Sequence, residues 1–208
     1  PIPGLVIGAV LGVPDRECAQ LRTWSENIVQ FFEPERTDQH RMLAEQSTIE
    51  FADYLRALLE QRKQRPQIDL ISQMIGWRDG DDRLDDDELV STCMTILMAG
   101  HGSTIDVAGN GMLALLCHPE QMAALRQEPS LMKNAIQEMF RYDPPLPYFH
   151  RYALEDMTYK GRDFKRGTML GFLYGSANRD ENQFHEADKF DIRRSPKRHL
   201  AFGGGTHH

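Results

Sequence analysis

Apolar residues recur at helical spacing over most of the chain up to Tyr142, and beyond Asp143 that rhythm gives way to prolines and short alternations. Residues 1–13 form an apolar run closed by a turn at Pro14-Asp15. Over residues 16–32, Leu21, Trp24, Ile28, Phe31 and Phe32 share a helical face. Residues 37–65 predict a second helix with Met42, Ile49, Leu55, Leu58 and Leu59 inward and the charges outward. Residues 66–76 supply a short helix through Leu70, Ile71, Met74 and Ile75, and residues 78–83 an acidic loop. The strongest signal spans residues 85–118. Leu89, Val90, Cys93, Met94, Ile96, Leu97 and Met98 recur closely enough to be buried on most sides. The Asp85-Asp86-Asp87-Glu88 cluster suits a helix N-terminus, and Pro119 stops the helix. At 1.5 Å per residue such a helix runs roughly 45 Å. Residues 119–126 are brief, and residues 129–142 are amphipathic, with Leu131, Ala135, Ile136 and Met139 on the apolar side.

Past Asp143, Pro144, Pro145 and Pro147 forbid helix, and residues 148–153 read as extended. Residues 157–159, Phe164 and residues 168–172 are short strands around turns at Gly161 and Gly167. Residues 178–198 are polar and irregular, a loop long enough to be functional or wrapped on a core. The pattern is a mainly α fold with small β-sheets and a glycine-rich end.

A chain of 208 residues with 40% hydrophobic content buries one sizeable core, or one large part of a bigger domain. The net charge of −7 argues against nucleic acid, and no apolar run reaches a membrane span. Cys18, Cys93 and Cys117 lack metal-ligand or redox spacing and read as reduced thiols of a cytoplasmic protein. The chain opens at Pro1 without methionine or targeting signal, which reads as a fragment.

The middle of the long helix carries Ala99-Gly100-His101-Gly102-Ser103-Thr104. Each glycine costs about 1 kcal/mol relative to alanine in a helix interior. The Ser103 hydroxyl is placed to bond back to the Ala99 carbonyl and bend the ladder. Two uses fit these small residues: close packing of another helix, which Gly109 and Gly111 also suit, or the approach of a large flat ligand.

Four stretches, in order along the chain, resemble motifs of the bacterial cytochromes P450. The Ala99–Thr104 run resembles the oxygen-groove motif of that family's central helix. Glu138-Met139-Phe140-Arg141 resembles its Glu-x-x-Arg helix. Residues 184–194, with Asp188-Lys189-Phe190-Asp191, resemble its meander, and Asn178-Arg179-Asp180 precedes them as in bacterial members. His199-Leu200-Ala201-Phe202-Gly203-Gly204-Gly205-Thr206-His207-His208 resembles the haem-binding loop, Phe-Gly-x-Gly-x-His-x-Cys. The match runs through His208, and the axial cysteine would be the next residue.

The resemblance implies that residues 1–208 are the C-terminal portion of a single P450 domain. Its parts are the central helix (85–118), the Glu-x-x-Arg helix (129–142), small sheets and meander (148–198) and the start of the haem loop (199–208). It implies haem b as cofactor, a thiolate that favours O–O cleavage, and glycines that let backbone N–H groups aim at the sulfur. Phe202, Gly203 and Gly205 match the loop around that sulfur, and Arg151 and His207 match positions that bind the haem propionates. Glu138 and Arg141 are expected to pair inside the domain and tie their helix to the meander, with Lys189 where the family often has an arginine. The activity implied is a monooxygenase that inserts one oxygen atom from O2 into a small organic substrate. Electrons would come indirectly from NAD(P)H through ferredoxin and ferredoxin reductase or a similar partner, with no nucleic acid or membrane involved. The fragment itself is expected to be inactive.

In the oxygen groove this chain departs from the pattern. Gly102 stands at the family's acid and Ser103 at its threonine, next to Ala99, Gly100 and Thr104, while Asp106 lies about one turn farther along. Proton delivery then falls to water, Thr104 or a substrate hydroxyl. The alternatives are a peroxide-driven or non-monooxygenase haem-thiolate enzyme, or a helical interaction module without cofactor. Phe31-Phe32, Leu97-Met98, residues 145–149 and Phe172 are pocket candidates too generic to name a substrate.

Overall fold

The computed structural model describes residues 2–32, 35, 37–77, 82–194 and 198–205. It divides into two compact units, Pro1–Ile105 and Asp106–His208. The first holds α1 (Ile2–Leu11), α2 (Cys18–Val29), α3 (Asp38–Gln64), α4 (Leu70–Gly76) and the first twenty residues of α5 (Asp86–Cys117). The second holds the rest of α5, α6 (Pro119–Gln127), α7 (Met132–Tyr142), β1 (Phe149–Tyr152), β2 (Met157–Tyr159), β3 (Arg162–Phe164), β4 (Met169–Phe172) and the one-turn α8 (Tyr174–Ala177).

Local chemistry sets the helix starts. Thr37 caps α3 by accepting the His40 amide at 3.2 Å, while the Thr37 amide donates to His40 Nδ1 at 3.5 Å. Asp85 and Glu88 cap α5 reciprocally, at 2.8 and 2.9 Å, so the acidic cluster works as hydrogen-bond acceptors as well as charge. The first core joins Leu11, Leu21, Trp24, Ile28, Phe51, Leu55, Leu58, Leu59, Ile71, Leu89, Val90, Cys93 and Leu97. Trp24 stacks on Phe51 with its Nε1–H on Glu50 at 2.8 Å. Beside that core buried Arg62 donates to buried Asp69 at 2.5 Å and to the Gly12 carbonyl at 2.6 Å. Gly12 has φ +83°, and a Cβ there would lie 2.1 Å from the Asp69 carboxylate, so only glycine ends α1 here.

In the second unit Ala114, Leu115, Leu125, Leu131, Ala135, Phe190 and Ile192 form the core. β1 and β4 pair antiparallel from Phe149↔Phe172 to Tyr152↔Met169, and β2 and β3 form a hairpin turned at Lys160-Gly161, both with positive φ. The strands fall where residues 148–153, 157–159, Phe164 and 168–172 placed them. Three inward assignments are corrected: Met42, Ile49 and Ile136 are exposed, because the buried face of α3 runs through Ala44, Ser47, Phe51 and Leu55 and that of α7 through Ala135, Glu138 and Arg141. Among the described residues no helix is long and apolar enough to cross a membrane.

Candidate functional site

Helix α7 turns a charged pair into its own core. Arg141, 2% exposed, donates from Nε and Nη2 to the two Glu138 oxygens at 2.7 and 2.8 Å, a parallel fork. Its remaining hydrogens reach three carbonyls: Nη1 to Asn178 at 2.8 Å and Ala187 at 2.7 Å, and Nη2 to Lys189 at 3.0 Å. All five guanidinium N–H groups are therefore used. Glu138 also accepts the Asp191 amide at 2.9 Å and Arg194 Nε at 3.2 Å.

Arg194 corrects the expectation for Lys189. The Lys189 ammonium sits in water on Glu186, and the residue contributes only its carbonyl. The second guanidinium comes from Arg194, which also donates to the His185, Glu186 and Lys189 carbonyls at 2.5, 3.1 and 3.0 Å. A compact ammonium cannot bridge a buried carboxylate and three carbonyls at once, and a planar fork can. Glu138 and Arg141 are together as expected, and the meander wraps their far side.

The glycine loop leans on the same helix. His199 meets Gln137 Oε1 at 3.0 Å and stacks on Phe140, whose ring also lies 4.7 Å from that of Phe202. Phe202 remains 62% exposed. The Leu200 amide donates to Asn178 Oδ1 at 2.7 Å, and the Gly203 amide closes a turn on the Leu200 carbonyl at 2.9 Å. Gly203 and Gly205 have φ of +76° and +105°, conformations that L side chains rarely adopt. His207 and His208 lie outside the described residues. On β1, exposed Arg151 lays its guanidinium 4.8 Å from the Phe149 ring centroid and donates to the His150 carbonyl at 2.9 Å. Among the described residues it makes no ion pair, so its charge is available to an anion.

The oxygen-groove residues stand on α5. Ser103 Oγ donates to the Ala99 carbonyl at 2.8 Å, the back-bond expected from the sequence, and the helix continues through it. The two glycines differ. A Cβ at Gly100 would meet the Ile7 side chain at 3.0 Å, whereas one at Gly102 would meet no atom within 4 Å. Gly100 thus serves helix packing. Gly102 leaves Ala99, Ser103 and Thr104 on an exposed stretch with no carboxylate within the motif. His101, without a role in the sequence reading, is 4% exposed with its ring seated on Gly4 and its Nε2 unpartnered. Burial, and then the charge of Arg22, hold its imidazole below the ordinary histidine range. Leu97, a pocket candidate, is instead core.

These residues fit the rim of a haem. Arg151 offers an unpaired guanidinium to a carboxylate, Phe202 an uncovered ring, and Gly203 and Gly205 a backbone that can turn close to a ligand. The thiols of the chain do not fit as its thiolate ligand. Cys18 and Cys93 are buried, burial pushing Cys93 up to about 11, and Cys117 ends α5, away in sequence from the loop.

A buried Glu-x-x-Arg fork under a glycine loop, in a mainly helical fold with small antiparallel sheets, defines the class. The chain belongs to the cytochrome P450 family, whose model matches residues 25–208. It is 36% identical over its whole length to the polyketide biosynthesis cytochrome P450 PksS of Bacillus subtilis (strain 168), covering 50% of that protein. It is likewise 36% identical to the biotin biosynthesis cytochrome P450 of the same organism, covering 52% of it. The crystal structure of P450BioI in complex with acyl carrier protein ligated to hexadec-9Z-enoic acid superposes with a TM-score of 0.89 at 35% identity, over 100% of this chain and 53% of that one. The chain spans about half the length of the curated relatives it matches.

Proposed function

We propose that the full-length protein is a haem-thiolate monooxygenase of the cytoplasm that inserts one oxygen atom from O2 into a small organic substrate. The observation that carries this reading is the fully satisfied Glu138–Arg141–Arg194 network beneath the glycine loop of a P450 family member. Both units are read as parts of one P450 domain. Bound haem supplies dioxygen activation, and the chain's own residues supply its surroundings. Arg151 and His207 would hold the propionates, and Phe202 would keep water from the sulfur. Electrons are expected from NAD(P)H through a ferredoxin-type partner. P450BioI has been solved with an acyl-ligated carrier protein, so carrier-linked fatty acyl groups join free small molecules in a substrate screen.

Ser103 bears on the proton supply. Its hydroxyl hydrogen is engaged by the Ala99 carbonyl, so Ser103 must rotate before it donates outward. Water, Thr104 or a substrate hydroxyl then carries the proton. The same engagement, together with Gly102, favours a second reading, a peroxide-driven enzyme that takes oxygen and protons from hydrogen peroxide. Product labelling separates the two. One 18O atom from 18O2, with NAD(P)H and a surrogate reductase, supports the monooxygenase, label only from H2(18O)2 supports the second reading, and product from neither contradicts both.

A further inference from the structure

Asn178 is 0% exposed and follows α8, outside the Glu-x-x-Arg pair. Its backbone is held twice: the carbonyl accepts Arg141 Nη1 at 2.8 Å, and the amide donates to the Tyr174 carbonyl at 2.9 Å. Its side chain makes one bond, Oδ1 accepting the Leu200 amide at 2.7 Å, while Nδ2 is buried without a partner. An amide that leaves its own donor unpaired is retained for its oxygen. Leu200 in turn closes the turn at Gly203, so an unbroken series of hydrogen bonds runs Glu138–Arg141–Asn178–Leu200–Gly203.

We propose that Asn178 is a positioning residue, through which the buried guanidinium of Arg141 fixes where the glycine loop begins and hence where its backbone amides point. This rests on the reading of that loop as the haem-thiolate loop. His199 and Phe202, held by Gln137 and Phe140, keep the loop against α7, and His199 Nδ1 accepts the Ala201 amide at 3.3 Å from within the loop; Asn178 grips the backbone at its start from outside the loop.

The test compares Asn178→Leu, which removes the acceptor and keeps the number and branching of the side-chain heavy atoms, with Asn178→Asp, which keeps Oδ1 and puts a second carboxyl oxygen in place of the partnerless Nδ2, with a buried charge when ionised. In the full-length protein, amide exchange of the peptide covering residues 198–205 is followed by mass spectrometry, and the reduced, carbon monoxide-bound Soret band is recorded. Asn178→Leu is expected to exchange that peptide at least tenfold faster, with α7 peptides unchanged, and to convert part of the thiolate-type band to the protonated-thiol type. Asn178→Asp should stay within twofold of the wild type in exchange and keep its band. If Asn178→Leu is insoluble, Asn178→Ala takes its place in the same comparison. Equal exchange in the acceptor-free variant and the wild type would overturn the proposal, as would an Asn178→Asp loop as loose as that of Asn178→Leu. A wild-type protein without any thiolate-type band would instead defeat the haem reading, while the exchange data would still decide the role of Asn178.

Discussion

On α7 every N–H of the Arg141 guanidinium has found an acceptor, whereas in the middle of α5 the groups stand unassisted. Arg141 spends all five N–H groups in the interior, Glu138 gathers two guanidinium groups and an amide, and the carbonyls of Asn178, Ala187 and Lys189 are drawn in. On α5, His101 Nε2 is buried without partner, Ser103 bonds only its own helix, and a side chain at Gly102 would meet nothing within 4 Å. The first region is over-determined and the second is under-determined. A satisfied low-dielectric network resists change and loses much when one member goes. An exposed, thinly furnished helix segment accepts substitution cheaply, so its chemistry can be altered without the fold.

The largest effect should follow Glu138→Ala. It strands Arg141 out of water and takes the carboxylate from half-buried Arg194, a loss on the order of 3–5 kcal/mol, a large part of the stability of many domains. Soluble, haem-loaded full-length protein should disappear, as read by the yield of absorbing protein per litre. Arg151→Ala should weaken haem retention by roughly ten- to a hundredfold, the usual worth of one charge-assisted hydrogen bond, with the melting temperature of the apoprotein unchanged. Transfer of haem to apomyoglobin measures this. If Arg151→Ala cost as much soluble protein as Glu138→Ala, the contrast between network and rim would break.

The next effect belongs to α5. Gly102→Glu should firm the helix slightly, since glutamate forms helix better than glycine, and should place an acid beside Ser103. A positioned proton relay is worth about 10²–10⁴-fold, which product formed per NAD(P)H consumed reads as a severalfold rise. Tight coupling in the wild type would mean that water, Thr104 or the substrate already carries the proton. The smallest effect is the acid sensitivity of His101. Its folded-state pKa lies below the unfolded value of about 6.5, so the unfolded chain binds the extra proton first. The stability His101 contributes is complete above pH 6.5 and is lost as pH falls towards the lower folded pKa. Of the charges that act on it, Arg22 of α2 and the amino terminus ahead of α1 lower it and Glu26 of α2 raises it, while α1 carries no titratable side chain. The melting temperature should therefore drop more steeply below pH 6.5 in the wild type than in His101→Phe, by a few degrees at pH 5.

Much of this was legible in the sequence where the signal is local. The periodicity of residues 85–118, the acidic start of α5, the turns at Gly161 and Gly167 and the Ser103 back-bond all depend on near neighbours, and each took its expected form. Helix α1 was not assigned a type, since IPGLVIGAVL is apolar on every side and carries no period. Met42, Ile49 and Ile136 misled because hydrophobicity marks what can be buried, not which face is. At the site, the Glu138–Arg141 pair was readable as a motif, but its third partner was not. Arg194 reaches Glu138 across 56 residues that include both small sheets and the meander, and Lys189 was nearer the expected place. Likewise Gly100 and Gly102 look alike in sequence, and only Ile7 distinguishes them. One signal was available for Asn178: an amide ahead of a meander, in a chain where backbone must be tied without secondary structure.

The reduced, carbon monoxide-bound spectrum of three full-length proteins tests the contrast most directly. Wild type and Gly102→Glu should both give the thiolate-type Soret band at equal intensity, and Glu138→Ala should give none. A full thiolate-type band from Glu138→Ala, or its loss in Gly102→Glu, would contradict the account.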